Sequence, residues 1–288
     1  MTTIGTDAAA SARNAMTALD TTPRQARADA LPATWLAPRW PVTDAVRGFV
    51  TTRVGGVSAA PFDTLNLGIG APDGPRDDPA SVGTNRDIVG ASLPGPPAWL
   101  SQVHGADVVD IDARYAGVPV ADAAVTRTPE RPLVVLVADC LPVMLAARDG
   151  SVIGLAHAGW RGLAAGVVER TVEAMRIAPA DLCAWLGPCI GPSAFEVGDD
   201  VRDAFVTHDA AAADAFVPRR PGKWLADLPA LTRMRLRAVD VVSCGGGDRC
   251  TVTEPAHFYS YRRDGATGRF GAFLWIAPPG AGAPRMRR

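Results

Sequence analysis

Two imidazoles and one thiol are the side chains of this 288-residue chain best placed to do chemistry. His104 follows the apolar run 99–103 and precedes Gly105, and Cys140 follows Leu133–Val137 and Asp139. His157 ends a third apolar run, 152–156, and opens the small-residue stretch Ala158-Gly159-Trp160-Arg161-Gly162. Each alone is what a packed residue at a strand end looks like. Together they offer two nitrogen donors and one thiolate, the ligand set of a catalytic zinc with an open fourth position. Copper is the alternative ion. The same residues also suit metal-free chemistry, with Cys140 as nucleophile and His157 or His104 as its base. A multicopper oxidase cluster gathers many more histidines than the 4 present here.

The elements that must position these groups follow from hydrophobic periodicity. Leu133–Val137 reads as a buried strand, residues 142–147 as a second, and 152–156 as a third, with the Asp149-Gly150 pair turning a hairpin between the last two. Leu163, Val167, Thr171 and Met175 recur at helical spacing, so one helix should pack back on the sheet. Elsewhere, 46–52, 99–103, 108–111, Leu182–Leu186, 239–243 and Phe270–Ile276 read as strands. Helices are expected at 81–89, 199–205 and 210–215, and after Asp227, a capping residue with Pro229 in the first turn. No repeat at a fixed period is present. The pattern predicts one α/β domain.

Composition limits what the chain can be. Charged residues make up 20%, hydrophobic ones 48%, and the net charge is −1, so no basic face for nucleic acid is expected. No stretch reaches the roughly 18 apolar residues of a membrane span. Five cysteines, an odd number without a signal peptide, point to a reducing, cytoplasmic setting. Cys189 in a Gly/Pro turn reads as a packed residue, and Cys244 with Cys250 makes a weak zinc signal. Residues 1–32 are expected to be a disordered extension, 33–279 a single catalytic domain and 280–288 a flexible tail. Arg53 and Arg161 sit in loops suited to gripping phosphate oxygens in a fork. Asp139 is the carboxylate nearest the thiol in sequence, either a proton carrier or a ligand-orienting group.

Seven segments, TTRVGGVS, PFDTLNLG, SQVHGADVV, ADCLPVML, HAGWRGLAAGVVERT, GPCIGPSAFEVG and FYSYRRDGATGR, resemble in order the motifs of the YfiH-type or laccase-domain family. The resemblance runs over residues 46–276. It implies a layered α/β sandwich of mixed sheets with flanking helices, related to bacterial toxin deamidases. It also implies a metal site at His104, Cys140 and His157. The implied activity is zinc-dependent phosphorolysis of purine nucleosides (adenosine, inosine, methylthioadenosine), with adenosine deamination beside it and nucleoside and phosphate as partners. Alternatives within the family are a Cys/His amidohydrolase acting on a peptidoglycan precursor and a copper-dependent polyphenol oxidase. One departure concerns the GPCIGP turn. Relatives often carry cysteine after its second Pro, where this chain has Ser193 and Ala194, so no thiol is available at that spot.

Overall fold

A computed structural model describes residues 31–70, 74–112 and 115–278. Almost all of the expected N-terminal extension and the whole C-terminal tail lie outside the described residues. In order, the elements are β1 (Val46–Val50), α1 (Pro79–Gly90), β2 (Val108–Asp110), β3 (Ala123–Thr126), β4 (Leu133–Val137), β5 (Leu141–Ala147), β6 (Ile153–Ala158), α2 (Trp160–Ala164), α3 (Val167–Met175), β7 (Leu182–Leu186), β8 (Glu196–Gly198), α4 (Asp199–Val206), β9 (Phe216–Arg220), β10 (Lys223–Ala226), α5 (Leu228–Ala238), β11 (Ser243–Gly246), α6 (Tyr261–Asp264) and β12 (Phe270–Ile276). Among the described residues no helix is long and apolar enough to cross a membrane.

A mixed six-stranded sheet, ordered β11-β7-β5-β6-β3-β2, forms the centre. Its middle strands pair antiparallel, and each edge pair is parallel. Strand alternation explains how the layers stack. Leu141, Val143 and Leu145 of β5 face one way, into a core shared with Val167, Val168 and Val172 of α3 and with Leu231 and Leu236 of α5. Met144 and Ala146 face the other way, onto Leu133, Val135 and Val137 of β4 and Ala272 and Leu274 of β12. Those strands belong to a second, antiparallel sheet, β1-β12-β4. Its outer face (Phe49, Val134, Phe273) is covered by Leu65, Leu67 and Val89 of α1. The result is the layered α/β sandwich with flanking helices that the family resemblance implies, with the mixed pairing confined to the central sheet. Each fully buried Leu, Val or Phe contributes about 1.5–3 kcal/mol to holding it.

Some local expectations are corrected. The single helix spanning Leu163 to Met175 is two, because Gly166 adopts φ 89° between α2 and α3. The expected strand at 99–103 contributes only an isolated bridge, Ser101 to Val120. The strand expected at 239–243 is displaced to Ser243–Gly246, since Asp240 takes φ 62° as the chain leaves α5. Residues 210–215 are helical as expected, in the tighter 3-10 form and capped by Asp209. A third small sheet, β8-β10-β9, carries the Arg/Lys hairpin that periodicity missed.

Candidate metal centre

The layers bring the three predicted ligands to one place. Cys140 stands immediately before β5, whose register sets Leu141 opposite Ala158 and Pro142 opposite His157. Thiol and imidazole therefore emerge side by side from adjacent antiparallel strands. His104 arrives on the loop before β2, in the left-handed conformation at φ 62°. Its ring meets that of His157 edge-on, with centroids 4.8 Å apart. The donor atoms of His104, Cys140 and His157 all lie within 4.8 Å of one another. Among the described residues no other group of three His, Cys, Asp or Glu side chains is gathered in this way.

Asp122, which sequence reasoning missed, organises the cluster. It sits just before β3, which pairs with β6, and is fully buried. Its Oδ1 is 2.8 Å from His157 Nδ1 and accepts the His104 N–H at 2.9 Å. Its Oδ2 accepts the N–H groups of Val103 and Gly105 at 3.1 and 2.7 Å. The unusual backbone of His104 thus folds three successive amides around one carboxylate, a local anion nest. With Nδ1 engaged by Asp122, His157 presents Nε2 to the centre, the usual orientation of a carboxylate-supported histidine ligand.

The electrostatics agree with that geometry. Burial alone would push the Cys140 thiol up, but the His157 charge and hydrogen bonding from His104 and His157 hold it down at about 6. Burial alone would lower His157, yet the Cys140 thiolate and Asp122 raise it to about 9. Burial opposes ionisation of Asp122 as well, and the His157 hydrogen bond with the Gly105 and Val103 amides brings it below the usual carboxylate value. The protein therefore favours the deprotonated thiol that a metal requires.

Glycine at 159 is a condition of the site. A Cβ there would lie 2.9 Å from Cys140 Sγ and 3.2 Å from His104 Cδ2. At Gly162 a Cβ would meet the Gly105 carbonyl at 2.6 Å. The small residues around Trp160 thus allow the α2 turn to lie directly on the ligands.

A soft thiolate with two imidazoles fits zinc, whose bonds of about 2.0–2.3 Å place tetrahedral ligands roughly 3.5 Å apart. The three donors need only draw in slightly to match. The other predicted residues are placed differently. Asp139, buried and at φ 90°, accepts Thr251 Oγ1 and the Arg262 N–H, each at 2.6 Å, which ties two distant loops to the segment bearing Cys140. Arg53 donates to Asp63 Oδ2 at 3.2 Å, to the Asp63 carbonyl at 3.0 Å and to the Pro255 carbonyl at 3.2 Å, and lies over the Tyr259 ring. It lines a surface depression with Val54, Asp63, Thr64, Pro255 and Ala256, a set that includes none of the three cluster residues. Arg161 is exposed in the first turn of α2, with its guanidinium 4.4 Å from the Trp160 ring centre.

Residues 47–277 match the family described as multi-copper polyphenol oxidoreductase laccase. The chain belongs to this family. A relative from Pseudomonas aeruginosa, named a purine nucleoside phosphorylase, is 49% identical over 243 residues, covering 84% of this chain and 98% of its own. The purine nucleoside phosphorylase YfiH of Escherichia coli is 46% identical over 241 residues, with the same coverage of 84% and 98%. Among solved structures, a Neisseria meningitidis protein superposes with a TM-score of 0.82 at 44% identity, covering 85% of this chain and 100% of that one.

Proposed function

We propose that this chain is a zinc-dependent purine nucleoside phosphorylase, acting on adenosine, inosine and methylthioadenosine, with zinc held by His104, Cys140 and His157. The observation that carries the reading is the convergence of those three donors within 4.8 Å of one another, with Asp122 behind His157, in a chain 46–49% identical to relatives named purine nucleoside phosphorylase. Zinc bound there would act as a Lewis acid toward a substrate oxygen.

In the reaction, a phosphate oxygen bonds to C1′ as the C1′–N9 bond breaks. The electron pair leaves with the purine, and the proton of the hydrogen phosphate ends on the base. The chain's own part is placement. Asp122 holds His104 and His157 in position. Asp139 has both oxygens engaged, so we assign it to anchoring the Thr251 and Arg262 loops rather than to carrying protons. Arg161, exposed beside the ligand loop, is assigned to a negatively charged substrate oxygen. Arg53 would have to release Asp63 to do the same, and its assigned part is to fix Tyr259 and the Asp63 segment. Adenosine deamination would need a free carboxylate to shuttle protons, whereas Asp122 and Asp139, the two bonded into this region, are occupied.

A second reading rests on one observation. The thiolate of Cys140, the raised His157 and the Asp122 behind it also form a nucleophile, base and orienting acid, the arrangement of a Cys/His amidohydrolase. The deciding experiment incubates zinc-loaded protein with inosine, with and without phosphate. Hypoxanthine should appear only with phosphate, accompanied by ribose 1-phosphate. Base release at equal rates in phosphate-free buffer would make the enzyme a hydrolase and end the proposal.

A further inference from the structure

Phosphorolysis needs a group that holds a dianion beside the metal centre, and Arg53 already has a carboxylate partner. Arg269 does not. It stands one residue before β12, and the antiparallel register that pairs Phe270 with Val137 sets it across from Ala138, beside Asp139 and Cys140. Its backbone is fixed on both sides, with its N–H donated to Asn66 Oδ1 at 2.7 Å and its carbonyl accepting the Leu67 N–H at 2.9 Å. The side-chain stem is fixed too, since a Cβ at Gly68 would lie 2.9 Å from Arg269 Cγ. At the tip, Nη1 donates to the carbonyls of Thr267 and Gly268 at 3.0 Å each.

Among the described residues those two bonds leave Nε and Nη2 without a hydrogen-bond partner, and no carboxylate pairs with Arg269. Burial presses its pKa below the ordinary arginine value, while the charges of Cys140, Asp139 and Tyr261 pull it back up. A half-buried guanidinium without a counter-ion carries a desolvation cost that a bound anion would offset. The Thr267 hydroxyl, on the residue whose carbonyl Arg269 holds, is also buried without a partner among the described residues. It is a second idle donor. Arg235, Arg249 and Arg263 are each bonded to an acid, and Arg86, which has no acid partner, spends both Nε and Nη2 on the Leu67 carbonyl.

We propose that Arg269 is the inner phosphate-binding residue of this site, receiving inorganic phosphate in the fork of Nε and Nη2, with the exposed Arg161 as an outer cation for the same anion. The assignment of the anion as co-substrate rests on the phosphorolysis reading, but the anion site itself does not. The segment that carries it, GATGR, shows no site chemistry in sequence, because the register with β4 is what brings it to Cys140.

The test uses full-length, zinc-loaded wild type with Arg269→Gln and Arg269→Lys. Inorganic phosphate is first titrated calorimetrically without nucleoside. Arg269→Gln should bind it at least tenfold more weakly than wild type, and Arg269→Lys, which keeps charge but loses the fork, should fall between. In steady-state assays Arg269→Gln should raise the phosphate KM at least tenfold and leave the inosine KM within twofold and zinc content unchanged. Wild-type phosphate affinity and KM in Arg269→Gln would overturn the proposal. So would parallel loss of zinc, inosine affinity and phosphate affinity in both variants, which would assign Arg269 to holding its loop. If wild type binds phosphate through Arg269 but releases no base, the anion site stands and the phosphorolysis reading falls.

Discussion

His157 Nδ1 and Asp122 Oδ1 are 2.8 Å apart in a pair shielded from solvent, and the same oxygen accepts the His104 amide. One carboxylate atom thus positions two of the three clustered residues. The cluster depends on a residue that is not one of its three members.

Asp122→Asn tests that dependence. The amide keeps one acceptor but turns an NH2 group toward donors, since all four protein contacts of this carboxylate come from N–H groups or an imidazole nitrogen. Zinc affinity should fall roughly 10–100-fold, as expected for a group behind a histidine ligand. Stability should fall by about 1–3 kcal/mol because a buried donor is left facing donors. Competition with a chromogenic chelator measures the first and urea denaturation the second. Unaltered zinc affinity would remove Asp122 from the account.

Gly159→Ala is a steric probe of the same place. Gly159 has φ −68°, a value alanine adopts freely, so the added methyl acts through space rather than backbone strain. It would stand 2.9 Å from Cys140 Sγ. The variant should fold with wild-type circular dichroism yet hold less zinc and turn over substrate more slowly. Full zinc occupancy in the alanine variant, measured by elemental analysis, would show that the loop yields and that glycine is not required.

The three clustered residues were legible because each ends or follows an apolar run, and both histidines precede a small residue, and such punctuation survives in sequence. Asp122 was not legible. It lies in Ala-Asp-Ala-Ala-Val, an unremarkable strand entry, and its role exists only because β3 pairs with β6. Arg53 was legible as a cation in a glycine loop, but its partner Asp63 comes ten residues later, where no periodic pattern marks a pairing. The alternating cores of β4, β5 and β12 were readable as strands because their burial is nearly continuous. The strand Ser243–Gly246 was displaced in the reading because its two glycines carry no hydrophobic signal. Register and loop convergence are tertiary facts, and they decide which polar residue meets which.

The most direct measurement returns zinc stepwise to stripped protein and follows phosphate-dependent hypoxanthine release against metal bound, for wild type and Cys140→Ala. Wild-type activity should rise in proportion to zinc and level off at one ion per chain. Cys140→Ala should bind zinc weakly and stay inactive, while losing only about 1–2 kcal/mol of stability, an ordinary cost for a point mutant. Full activity in wild type stripped of all metal, abolished by a thiol-alkylating reagent, would contradict the zinc centre and establish Cys140 as a nucleophile.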